Sequence, residues 1–263
     1  MPIGVFAIET ILIFTKMKQT FLKISLLLLS VFFLQSCIDD TDIGDTGNDP
    51  NFIFAYTFGG GQNDWVDGIT EYPLYLEDSL QYTVEMAEVP SSITTEDSLL
   101  RVSFVDSVGE AFTFLKIQVG ELSPSTVFDV ELEIELAASN LDAAGTTYDD
   151  DMEVHVKAGV FENEPTIIDA DDSEFGFETK VLDIDKGNNT DAGDDMVFLG
   201  TLQMPEPRAS TALARGNNSG NLLRASTDAG GNMWLLIGLD SETKMHQAYY
   251  YSKITVFYYE VAQ

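Results

Sequence analysis

Residues 127–136 alternate without a break. Phe128, Val130, Leu132, Ile134 and Leu136 are apolar, and Asp129, Glu131, Glu133 and Glu135 stand between them. A period of two sends successive side chains to opposite faces of a strand, so this stretch predicts a half-buried β-strand with one acidic, solvent-facing side. Like charges along that side require neutral or basic groups on the neighbouring strands. Residues 152–158 alternate in the same way, with Glu153, His155 and Lys157 turned outward, so His155 reads as solvent-facing. Residues 233–239 (MWLLIGL) are apolar on both faces, as in a central strand, and Trp234 reads as a core residue.

Eight further stretches are short, rich in β-branched or aromatic residues and bounded by Gly, Pro, Asn, Asp or Ser: 52–58, 80–89, 99–106, 112–119, 180–184, 197–202, 222–227 and 249–259. No stretch after residue 51 carries a capped 3.6-residue period. About eleven strands with few helices predict an all-β fold, a β-sandwich of jelly-roll type, over residues 52–263. Residues 203–221, rich in Pro, Ala, Gly and Asn and holding Arg208 and Arg215, read as a long mobile or functional loop.

The N-terminal pattern differs. Lys16, Lys18 and Lys23 precede an uncharged apolar run over 24–34, too short to span a bilayer as a helix but suited to a signal peptide over 1–36. Met17 opens this pattern and is an alternative start. One long membrane anchor over 3–34 is disfavoured by the three lysines and Glu9. Leu34-Gln35-Ser36-Cys37 resembles the bacterial lipobox, which implies lipid attachment at Cys37 and a membrane anchor of several acyl chains. Residues 37–51 then form an acidic, flexible tether. Acidic residues after the cysteine resemble the surface-export signal of Bacteroidota lipoproteins. The resemblance implies an outer-membrane, lipid-anchored protein exposed at the cell surface.

Charge narrows the partners. The chain has 44 acidic and 13 basic residues, a formal net charge of −31. Such a charge repels phosphate and so disfavours nucleic acid and anionic headgroups, while remaining compatible with cations, neutral sugars or a basic protein. It also serves solubility alone. One cysteine excludes an internal disulfide.

Candidate chemistry is sparse. Asp183, Asp185, Asn189, Asp191 and Asp194 fall at positions 1, 3, 7, 9 and 12 of a calcium-loop spacing, and hard oxygen ligands suit Ca²⁺. Position 6 is Asn188 rather than Gly and position 12 is Asp194 rather than Glu, so a solvated acidic loop is the competing reading. Two distant histidines argue against a transition metal. Trp65 lies in the polar bend 59–65, where it either stacks on a sugar ring or caps the core. With Asp64, Asp67 and Tyr72 it forms the candidate ligand-binding set. Aromatics of 249–259 offer a second platform or pack on neighbours. No Gly-x-Ser-x-Gly or His-Glu-x-x-His occurs, and no carboxylate pair is privileged among so many.

A series of short motifs resembles a family of secreted or lipid-anchored bacterial proteins. These are Trp65, Glu71-Tyr72-Pro73, Phe114-Leu115, Gly120-Glu121-Leu122-Ser123-Pro124, Lys157-Ala158-Gly159, Asp185-Lys186-Gly187-Asn188, residues 228–241, and the closing aromatic strand 249–259. That family has no established activity, so the resemblance implies architecture more than function. The closing strand also looks like the last strand of galactose-binding-like jelly rolls and carbohydrate-binding modules, with Ser252 near where an Asp is usual. The sequence therefore points to a non-catalytic, monomeric domain that binds an extracellular ligand, foremost a glycan. The alternatives are an adhesive or structural envelope protein that binds another protein, and after that a hydrolase.

Overall fold

The computed structural model describes residues 49–88, 98–107, 109–139, 153–172, 177–203, 212–217, 223–241, 244 and 246–262. The leader, Cys37 and nearly all of the tether lie outside the described residues. Among the described residues fourteen strands run in the order β1 (Phe52–Thr57), β2 (Val66–Thr70), β3 (Thr83–Glu88), β4 (Ser98–Val105), β5 (Phe112–Val119), β6 (Val127–Ser139), β7 (Glu153–Phe161), β8 (Ile167–Asp172), β9 (Phe177–Leu182), β10 (Val197–Gln203), β11 (Ala212–Asn217), β12 (Leu223–Ser226), β13 (Met233–Asp240) and β14 (His246–Glu260). A 3₁₀ helix over Leu74–Ser79 follows β2. All described pairings are antiparallel.

The eleven stretches read from the pattern are all strands. Three more, β2, β8 and β11, were not anticipated, and β11 lies inside the stretch expected to be a loop.

Two long strands form the spine of a seven-stranded sheet. β6 and β14 pair along most of their length. β14 then takes β4 beside its first half and β1 beside its second, while β6 takes β11 and β12 end to end on its other side. The acidic side of β6 meets the groups its charge requires. Lys253 and Thr255 stand opposite Glu135 and Glu133, Ser252 Oγ bonds Glu135 at 2.9 Å, and Tyr259 OH donates to Glu131 at 3.2 Å. Arg224 makes a two-pronged pair with Asp129 at 2.6 and 2.8 Å.

The register of β14 shifts between Tyr251 and Lys253. One extra residue in a strand moves every later side chain to the other face. Tyr249 and Tyr251 therefore face the core before the shift, and Ile254, Val256 and Tyr258 face it afterwards. The aromatics Tyr249, Tyr251 and Tyr258 are fully buried, which settles their role as packing residues.

The inner face of this sheet packs on a five-stranded sheet of order β10-β7-β13-β5-β2. Leu115, Ile117, Val156, Leu235, Ile237 and Leu239 from the second sheet share one core with Phe128, Leu132, Ile134 and Val256 from the first. The result is a two-sheet β-sandwich.

A third layer covers much of the outer face of the five-stranded sheet. Phe112, Phe114 and Leu236 from that face form a second small core with Leu182 and Met196, flanked by Phe161 and Ile184. Aromatic rings approach glycines closely here. A Cβ on Gly238 would stand 1.9 Å from Phe112 Cζ, one on Gly68 2.3 Å from Phe114 Cζ, and one on Gly159 2.5 Å from Phe161 Cζ. This layer corrects the expectation for β7. His155 is only 5% exposed, bonded to Thr201 Oγ1 at 3.0 Å and set edge-on to Phe198. Lys157, on the same face, is completely buried. Both point away from the sandwich core, as the alternation requires, but into a second interior.

Candidate ligand-binding face

The predicted ligand set around Trp65 does not form a surface. Trp65 is 3% exposed and packs between the sheets, edge-on to Tyr56 and tilted against Phe58. Of its two sequence readings, core capping is the one realised, because the bend after β1 folds the indole back over the sandwich. Tyr72 is 4% exposed, and its hydroxyl donates to Glu77 at 3.3 Å. Asp67 accepts from Gln62 Nε2 at 2.7 Å and from Tyr82 OH at 2.9 Å. Asp64 alone is exposed, in a turn at φ 63°.

The acidic loop over 183–195 has the arrangement of the solvated-loop reading. Its carboxylates cap backbone N–H groups instead of converging. Asp183 accepts from Thr166 N and Oγ1 at 2.7 and 2.8 Å, and Asp185 accepts from Gly187 N at 2.9 Å and Asp194 N at 3.2 Å. Asp191 and Asp194 face solvent. Among the described residues no group of three or more His, Cys, Asp or Glu side chains is placed to hold a metal ion.

The loop's oxygens gather around an ammonium. Lys157 Nζ rises from β7 to donate to the carbonyls of Lys186 at 3.0 Å and Asp191 at 3.1 Å, with Asp240 Oδ2 at 3.7 Å. Lys186 Nζ bonds Glu71 Oε2 at 2.9 Å and Asp240 Oδ2 at 3.1 Å. Two ammoniums and two carboxylates thus balance in a nearly dry site. Burial, and then the charge of Lys186, push Lys157 below the ordinary lysine range. Burial pushes Glu71 up, against the lowering by Lys186. Gly187, at φ +68°, permits the tight loop, since a Cβ there would meet Asp191 O at 2.3 Å.

An accessible aromatic surface lies at the opposite end of β13. Trp234, expected in the core, is half-buried on the outer face. Its parity within the strand matches Gly238 and Asp240 rather than Leu235 and Ile237, a signal present in the sequence. In register beside it stand Gln118 on β5 and Phe161 on β7. Lys116 Nζ sits 5.5 Å from its ring centroid and is anchored by Glu164 at 2.7 Å and the Pro165 carbonyl at 2.6 Å. A cation over an indole face is worth about 0.5–2 kcal/mol and fixes the ring. Gln118 and Glu164 are exposed at the rim. A flat apolar plate edged by an amide and a carboxylate can receive a neutral molecule with one apolar face and hydroxyls at its margin.

Fold and site together define the class: an antiparallel β-sandwich with a partly covered outer face. No family model matches the chain, and no curated protein matches it by sequence. Among solved structures it is similar to the xylan-binding CBM22-1 domain of Xyn10C from Paenibacillus barcinonensis, with 11% identity over 82% of this chain and 99% of that one and a TM-score of 0.39. It is also similar to the K1 cleaved adhesin domain of Lys-gingipain from Porphyromonas gingivalis, with 9% identity over 77% and 97% of the two chains and a TM-score of 0.35. The active domain of tailspike protein 4 of bacteriophage CBA120 shares 11% identity at a TM-score of 0.33; the match covers 76% of this chain and 20% of the tailspike chain. Likenesses at this level define neither a family nor a ligand.

Proposed function

We propose that the domain is a non-catalytic glycan-binding module of an outer-membrane lipoprotein, displayed at the cell surface through lipid on Cys37. The observation that carries the binding role is the Trp234 plate, held by Lys116 and edged by Gln118 and Glu164. A pyranose ring presents C–H groups on one face and hydroxyls around its edge, which matches that arrangement. The net charge of −31 favours neutral over acidic glycans. Screening the full chain in detergent against neutral and acidic glycans, with Trp234→Ala beside it, tests the reading. Binding of a neutral glycan that weakens at least about tenfold in the variant, roughly 1.4 kcal/mol, supports it. Absence of glycan binding, or binding indifferent to Trp234, overturns it. Loss of fatty-acid incorporation in Cys37→Ser tests the anchor.

A protein-binding role is the second reading. It is favoured by Ile167, Ile168 and Tyr75, which are 43, 45 and 72% exposed on β8 and the 3₁₀ helix. Recovery of one stoichiometric envelope protein by cross-linking, lost in Ile168→Asp, supports it over glycan binding.

A further inference from the structure

At the end of β13 remote from Trp234, Asp240 and Lys186 are in direct contact, 3% and 6% exposed. Lys186 Nζ lies 3.1 Å from Asp240 Oδ2 and 2.9 Å from Glu71 Oε2. The Phe112 ring centroid lies 4.9 Å from the same nitrogen. Asp240 Oδ2 also accepts the backbone N–H of Asn189 at 3.2 Å, with the ammonium of Lys157 at 3.7 Å. Glu71 reaches the site from a backbone held at φ 63°, in the left-handed region where a non-glycine residue is strained. Its own N–H is fixed to the Lys180 carbonyl at 2.7 Å.

A buried amine in contact with a buried carboxyl group, and with a second, partly exposed carboxylate on the same nitrogen, supplies the components of an amide condensation. In water the first two remain ions and do not condense. Burial favours transfer of one proton from Lys186 to Asp240, which turns the ion pair into a neutral amine and acid. The charges and hydrogen bonds of Glu71 and Asp240 outweigh burial and hold Lys186 above the ordinary lysine range, so the neutral pair is the minor, reactive form. Fixed contact then replaces a bimolecular encounter.

We propose that Lys186 and Asp240 join through an intramolecular isopeptide bond, with Glu71 carrying the proton. The neutral Nζ attacks Cγ of the protonated Asp240, forming the C–N bond. The oxyanion that develops on Oδ2 is received by the Asn189 N–H and the Lys157 ammonium. Glu71 takes one proton from Nζ and delivers it to the Oδ1 hydroxyl. The Cγ–Oδ1 bond breaks and water leaves. Ammonium and carboxylate become amide and water, with no change of oxidation state and no co-reactant. Lys157 and Glu71 remain as a balanced pair, so the site is neutral before and after. The bond ties the acidic loop to β13 in a chain whose single cysteine allows no internal disulfide.

The test is tryptic digestion of the denatured full chain with tandem mass spectrometry. The bond predicts no cleavage after Lys186 and therefore a branched peptide joining the stretches 181–208 and 225–244, one water lighter than the two together. Recovery of 181–186 and 225–244 as unmodified linear peptides overturns the proposal, as does a link that maps to Lys157. Lys186→Arg keeps the cation without the nucleophile and should yield linear peptides only. Glu71→Gln should link on the order of a hundredfold more slowly while keeping a β-sheet circular dichroism spectrum. A folded Glu71→Gln that links at the original rate overturns the role of Glu71.

Discussion

The ammonium of Lys157 donates a 3.1 Å hydrogen bond to the backbone carbonyl of Asp191, at the centre of a loop whose spacing resembles a calcium site. A side chain from the sheet supplies the positive charge that the loop's oxygens require. Removing it leaves the Lys186 and Asp191 carbonyls without their donor, and two buried or half-buried carboxylates with Lys186 as their one remaining cation in the cluster. Lys157→Met should therefore lower stability by about 3–5 kcal/mol in urea denaturation. A chelator should leave the wild-type melting temperature unchanged. A chelator-induced drop would restore the metal reading.

Gly238 is a packing position rather than a hinge. A Cβ there would lie 1.9 Å from the Phe112 ring, itself pinned by the second core. Gly238→Ala should cost about 1–3 kcal/mol by overpacking. The double variant Gly238→Ala/Phe112→Leu should recover part of that loss. Full stability of the single variant would show that the ring moves freely.

Trp65 realises the core-capping one of its two sequence readings, while Trp234 departs from its core reading. Trp65 is 3% exposed and Trp234 half-buried beside solvent. Trp234→Phe should leave a blue-shifted emission from Trp65, poorly quenched by iodide. Trp65→Phe should leave a redder, quenchable emission from Trp234. Equal quenching of the two variants would contradict the placement.

Acid should unlock two loops. The N–H and amide of Asn232 hold the Asp228 carboxyl below the ordinary carboxylate range. The backbone N–H groups of Gly187 and Asp194 do the same for Asp185. A depressed folded value adds stability that is complete above the unfolded value of about 3.9, and that is lost as pH falls through the folded value. The melting temperature should therefore fall between roughly pH 5 and pH 2. The Asp185→Asn/Asp228→Asn variant should start lower at neutral pH and lose less on acidification. Parallel curves for the two proteins would remove these carboxylates as the cause.

Much of the fold was legible because alternation is a local signal. The inward set of β6 follows from period two, and so does the need for neutral or basic neighbours beside its acidic side. The three missed strands lacked that signal. β2 (VDGIT) contains Asp and Gly, β8 (IIDADD) is half acidic, and β11 (ALARGN) has no β-branched residue. They are strands because a neighbour's unpaired edge supplies their hydrogen bonds, not because their composition prefers it.

The site was less legible. Trp65 drew attention as an aromatic in a polar loop, yet the bend after β1 buries it. Trp234 looked buried in an apolar run, yet it is half-buried on the outer face. Periodicity distinguishes the two faces of a strand without saying what lies above each. The sequence by itself determined eleven of the described strands, the inward face of β6 and the acidic character of the loops. Only the tertiary structure decided that the loop after β9 covers Lys157 and Asp240, that His155 is buried and that Trp234 is left half-buried. The reason is physical: covering a face depends on a distant segment folding back over it, and that segment's path is set by packing and by the buried charges it must satisfy.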